Sequence, residues 1–71
     1  MAIKATHLGE HIRHLRHKRG WSVEELAEQA GLNPLSLRKI ESGERCHPRI
    51  DTMTKLADAL EITLDQLADR D

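Results

Sequence analysis

The sequence predicts an all-α fold, a compact bundle of five short helices, and three observations carry that prediction. Phe and Tyr are absent and Gly and Pro number only four and two. Leucine, alanine, glutamate and arginine dominate, a mixture that favours helix over sheet. Apolar residues recur at helical spacing in separate stretches. A third sign is a device that occurs three times, in which an apolar residue precedes a capping residue and a second apolar residue stands at the fourth helical position. Trp21, Ser22 and Leu26 form it first, then Leu32, Asn33 and Leu37, then Ile62, Thr63 and Leu67. Each set is a hydrophobic staple and marks a helix start, at 23, 34 and 64.

The first helix follows a flexible tail, residues 1–5, with Thr6 as its cap and Leu8, Ile12 and Leu15 as its inner stripe, and Gly20 ends it. Ser22 caps the second, with Glu25 closing a capping box and Val23, Leu26, Ala27 and Ala30 facing inward until Gly31. Asn33 caps the third and Pro34 occupies its first position, where a missing N–H costs nothing; Leu37 and Ile40 are buried and Gly43 stops it. Asp51 is expected to cap the fourth, with Met53, Leu56, Ala57 and Leu60 inward. The fifth begins after Thr63, whose capping box is closed by Gln66, and has Leu64, Leu67 and Ala68 to bury.

Seventy-one residues allow one domain, 1–71, whose apolar core alone leaves a margin of only a few kcal/mol, so a second copy would help. No apolar run is long enough for a membrane span, and MAIKATHLGE lacks the apolar centre of a signal peptide. A cytoplasmic protein is expected. The lone Cys46 can form no internal disulfide, in keeping with a reducing compartment, and is read as a loop residue.

The net charge of -1 conceals an uneven distribution. Residues 1–20 hold five Lys/Arg against one acid, and residues 34–49 hold four against two. Residues 21–33 hold three acids and no base, and residues 50–71 hold six acids against two bases. Placing the first and third segments on one side would create a basic face and an acidic back, an arrangement suited to an anionic partner.

Two helices joined across the short turn at Gly31 make a helix-turn-helix. Within it, Leu26, Ala27, Gly31, Leu37, Ile40, Glu41 and Gly43 match the pattern of an apolar helix, a glycine turn, a second helix and a closing E-x-G. Around it, Leu8, Ile12, Leu15, Arg16, Pro48, Leu56, Ala57, Leu60 and Leu67 extend the match over residues 8 to 67. The chain thus resembles the Cro/repressor-type (XRE-like) helix-turn-helix proteins. That resemblance implies a lambda-repressor-like DNA-binding domain, a transcriptional regulator that recognises double-stranded DNA by sequence, acts as a homodimer, and places helix 34–42 in the major groove.

The resemblance also assigns roles. Arg16 would pair with Glu41 as a partly buried, structural ion pair. On the third helix Leu35, Arg38, Lys39 and Ser42 point away from Leu37 at about 100° per residue. Leu35, Arg38 and Lys39 are the candidates for reading bases, through guanine O6/N7 for the cations and the thymine methyl for Leu35. Val23, Pro34 and Leu35 carry no hydrogen-bonding side chain, so amide readout of adenine is closed at those positions. Asn33, Ser36, Ser42, Arg45, His47 and Arg49 are the candidates for the DNA backbone, with helix-start N–H groups beside them. Residues 61 to 68, with Ile62, Leu64 and Leu67, are the candidate dimer surface. With nothing after Asp71, no appended ligand-sensing domain is expected.

Two other readings stay open. The missing amide groups suit a helix-turn-helix that serves as a protein-interaction module, an antitoxin or accessory regulator with a protein partner and weak DNA binding. His7, His11, His14 and His17 share the first helix, the first three within about 60° of arc. They suggest a metal-responsive regulator, but no glutamate stands next to the first His as in a metalloprotease motif and a closed zinc site would require ligands from a second element, so neither metal nor other cofactor is assigned. An enzyme is not expected, because no Ser/His/Asp set, carboxylate pair or phosphate-cradling glycine loop is present.

Overall fold

Five helices form in the expected order: α1 (Ala5–Lys18), α2 (Val23–Ala30), α3 (Pro34–Ser42), α4 (Ile50–Leu60) and α5 (Leu64–Ala68). The computed structural model describes residues 5–45 and 48–68, with the side chains of 8–45 and 48–67. Residues 1–4, Cys46, His47 and residues 69–71, with the side chains of Ala5, Thr6, His7 and Ala68, lie outside the described residues.

Three of the connections are built alike. After α1, α2 and α4 the chain turns through a left-handed residue, Gly20 (φ 70°), Gly31 (φ 69°) or Glu61 (φ 59°). The next residue then donates its N–H back five residues: Trp21 to Arg16 O at 3.2 Å, Leu32 to Ala27 O at 2.8 Å and Ile62 to Ala57 O at 3.0 Å. This closes the orphan carbonyls of the ending helix. The same three residues pack, half-buried, against a core containing Leu26, Leu37 and Leu67. Each therefore closes one helix and staples the next. The following residue is the cap: Ser22 Oγ accepts Glu25 N–H at 3.1 Å, Asn33 Oδ1 accepts Leu35 N–H at 2.8 Å, and Thr63 Oγ1 accepts Gln66 N–H at 3.1 Å. Both capping boxes are complete, with Glu25 and Gln66 accepting the cap N–H groups at 2.7 and 2.9 Å.

All five helices contribute to one core. Ile12, Leu26, Leu37, Leu56 and Leu67 are fully buried, and Leu8, Leu15, Val23, Met53 and Leu64 pack at its margin. α1 lies close against α3. A Cβ at Gly9 would collide with the Ile40 and Glu41 carbonyl oxygens, so the side chain must be absent for the two backbones to meet. α5 is short but anchored: His11 Nε2 bonds the Gln66 carbonyl at 2.8 Å, and since a carbonyl can only accept, that nitrogen carries the proton.

Three expectations are corrected. α1 begins at Ala5, a strong helix former, so Thr6 lies inside the first turn instead of capping it. α4 begins at Ile50 with Arg49 at the cap and no side-chain cap bond, so Asp51 stands in the first turn, where its charge suits the helix dipole. Leu67, expected on a dimer surface, is completely buried in the chain's own core. Ile62 and Leu64 are half-buried and packed against that core.

The third turn departs from the other two in placing a residue with a Cβ in the left-handed region. Arg19 donates to the Leu60 carbonyl at 2.8 Å and to Glu61 Oε1 at 3.0 Å, and its guanidinium lies 5.2 Å from the Trp21 ring centre. The exposed Arg19–Glu61 contact offsets little of the backbone cost. Glu61→Gly is expected to raise stability by roughly 0.5 to 1 kcal/mol. A lower urea midpoint for that variant would contradict this account of the turn.

Candidate nucleic-acid interface

The outward face of α3 can serve as an interface only if its inner face is held, and a buried ion pair does this. Arg16 Nε donates to Glu41 Oε2 at 2.8 Å and Nη2 to Oε1 at 2.9 Å, a two-pronged contact between α1 and the last turn of α3. Arg16 Nη1 donates to the Trp21 carbonyl at 2.9 Å. One guanidinium thus joins α1, the turn into α2, and α3. Arg16 is 8% exposed and Glu41 5%. The hydrogen bonds to Glu41 raise the Arg16 pKa above its already high value, with burial opposing, so the guanidinium stays charged. Arg13, half-exposed, comes within 3.8 Å of Glu41 as well.

On the outer face the side chains proposed to read bases differ in their surroundings. Leu35 is 60% exposed, an apolar residue in open solvent at the start of α3. Arg38 is also exposed, yet its Nη2 donates to Glu24 Oε2 on α2. Lys39 is half-buried. Arg38 therefore does not stand free as periodicity within α3 alone implied, because the partner comes from another helix.

Four of the six backbone candidates come together. Asn33, Ser36, Arg45 and Arg49 line one hollow of about 370 Å³ between the start of α3, the loop after it and the start of α4, with Leu32 and Ile40 in its apolar wall. Arg49 makes no capping bond, so among the described residues the first-turn N–H groups of α4 beside the hollow have no side-chain acceptor. Asn33 Oδ1 is engaged as the α3 cap, which leaves its amide N–H₂ for other partners. The hollow is chemically suited to a phosphate group, with two guanidiniums, small polar donors and a helix start. His47 lies outside the described residues. Ser42 is elsewhere: its hydroxyl donates to Lys39 O at 3.1 Å and accepts Glu44 N–H at 3.3 Å, closing the end of α3. Its only O–H is used within the chain, so Ser42 stands apart from the candidates that line the hollow.

The basic face is narrower than the segment charges suggested. Arg16 is internal and Arg19 is turned to Leu60 and Glu61, so residues 1–20 contribute fewer free cations than their composition implies. Among the described residues no three His, Cys, Asp or Glu stand together as metal ligands, and no helix is long and apolar enough to cross a membrane.

Comparison with known proteins agrees with this geometry. Residues 7–69 match the helix-turn-helix domain family. The chain is 39% identical over 59 residues to the HTH-type transcriptional repressor RghR of Bacillus subtilis, covering 83% of this chain and 44% of RghR. Among solved structures, SinR, a master regulator for biofilm formation, in complex with DNA is similar with a TM-score of 0.84 and 32% identity, over 87% of this chain and 98% of that one. A SinR/SinI protein complex is similar with a TM-score of 0.85 and 32% identity, over 89% of this chain and 61% of the other. This chain spans about half the length of the curated relatives it matches, 44% of RghR and 56% of the Bacillus subtilis SinR.

The Arg16–Glu41 contact yields a direct test. Replacing Glu41 alone by alanine strands a buried guanidinium and is expected to cost about 3 to 5 kcal/mol. Replacing both partners by apolar residues, Arg16→Met with Glu41→Leu, should cost far less than either single change, as read from chemical denaturation. Additive losses would contradict a coupled pair. The shared geometry and the family match lead to one identification: the chain belongs to the Cro/repressor-type helix-turn-helix family.

Proposed function

We propose that this chain is a sequence-specific, double-stranded-DNA-binding regulator of transcription, working in the cytoplasm with α3 in the major groove. The observation that carries this reading is the convergence of Asn33, Ser36, Arg45 and Arg49 on one hollow beside the exposed start of α3. A phosphate seated there would fix the register of the duplex while Leu35, Arg38 and Lys39 approach base edges. The similarity to SinR solved in complex with DNA supports DNA as the partner. The chain is not proposed to catalyse a reaction. As a homodimer it would occupy two half-sites about 10 bp apart. Ile62 and Leu64 remain the candidates for that contact, without Leu67.

A second reading, contact with a protein partner, draws on two exposed apolar side chains, Leu35 at 60% and Ile50 at 68%. The similarity to SinR solved with SinI favours keeping it. Salt separates the two. Binding to duplex DNA through phosphates should weaken steeply with salt, by about 0.9 log units in affinity per log unit of salt for each phosphate neutralised. Arg45→Ala with Arg49→Ala should flatten that slope by about 2. Replacing Arg38, Lys39 and Arg49 together should abolish binding. Unchanged affinity in the triple variant would overturn the assignment of these residues, and no salt-dependent binding by the wild type would overturn the DNA reading.

A further inference from the structure

Resting on that reading, we propose that Glu24 is a specificity-determining residue of the interface, one that acts on the duplex by orienting Arg38. Glu24 occupies the second position of α2 and accepts from Arg38 Nη2 on α3, a bond across the two helices of the motif between residues 14 apart. The side chains are 56% and 54% exposed. A pair so open to solvent does little for stability, so holding the fold together does not account for it. It also places a carboxylate beside the surface that would meet a polyanion.

The Glu24 charge is persistent. Its carboxyl is held below its ordinary value, chiefly by the hydrogen bond from its own backbone N–H; desolvation opposes this, and the Arg38 guanidinium lowers it further. The start of α2 favours the same charge. A permanent acid at this place has two effects on recognition. It limits the rotamers of a long, flexible side chain before binding, so less freedom is lost when Arg38 engages a base. It uses one of five guanidinium N–H groups and leaves others for the O6 and N7 acceptors of guanine. Against a duplex without guanine at that register, Arg38 could gain a phosphate only by leaving Glu24 unpaired near negative charge. Generic DNA is thereby penalised.

The test uses a duplex selected by the wild-type protein from a random pool and a shuffled duplex of the same composition, with Glu24→Ala, Arg38→Ala and the double variant. Glu24→Ala should bind the shuffled duplex more tightly and lose discrimination between the two by about tenfold. In the Arg38→Ala background the same change should raise both affinities alike. Repeated selection with Glu24→Ala should lose a guanine preference at the position where Arg38→Ala loses it. Equal gains on both duplexes with Arg38 present, and a retained guanine, would show simple charge removal and overturn the proposal. Glu24→Gln repeats the experiment with the side-chain volume kept, and unchanged melting of either variant separates recognition from folding. Absence of salt-dependent binding by the wild type would instead defeat the DNA reading itself, and this inference with it.

Discussion

Everything on the outer face of α3 depends on the Arg16 guanidinium beneath it. Its three hydrogen-bonding nitrogens connect α1, the Trp21 turn and the end of α3, at 2.8 to 2.9 Å. Such a pair adds little net stability compared with an apolar replacement of the same shape, because both charges had to leave water. What it fixes is orientation. A two-pronged contact at the last turn of α3 sets the rotation of that helix about its axis, and the rotation decides which side chains face out. Gly9 fixes the remaining coordinate by letting α1 approach the same two residues, Ile40 and Glu41.

Around this anchor the chain repeats one local solution. A left-handed residue, an apolar residue and a polar cap connect α1 to α2, α2 to α3, and α4 to α5. The apolar residue serves both neighbours, which keeps turns short without leaving backbone groups orphaned. The α3–α4 connection is made differently, with Arg49 at an uncapped start and Pro48 and Arg49 lining the hollow. The exception coincides with the proposed phosphate seat, where open N–H groups and guanidiniums are useful and an intramolecular cap would compete for them.

Much of this was legible in the sequence because caps, staples and stripes are local. Ser22, Asn33 and Thr63 announced three helix starts, and the apolar stripes identified the core. Asp51 has the chemistry of a cap and points to a start at Thr52, whereas α4 begins two residues earlier, at Ile50, behind an Arg49 that offers no capping side chain to detect. The resemblance points Leu67 to a dimer surface, whereas its role as a staple directs it inward, where it lies buried. Three long-range contacts were out of reach: Arg38 with Glu24, Arg19 with Glu61, and His11 with the Gln66 carbonyl join groups whose meeting depends on how helices cross. Single-helix periodicity gives the direction of a side chain and says nothing about what another helix brings to it.

The central claim is that α3, held from below by Arg16, offers its outer face and the adjoining hollow to a duplex. Amide chemical-shift mapping during titration with a duplex selected from a random pool tests this most directly. The account predicts the largest changes at Asn33 to Lys39, Arg45 and Arg49 to Thr52, with Asp58 to Leu67 nearly unmoved. Changes concentrated on Asp58 to Leu67, or changes along α3 that arise from raising the protein concentration without DNA, would contradict it.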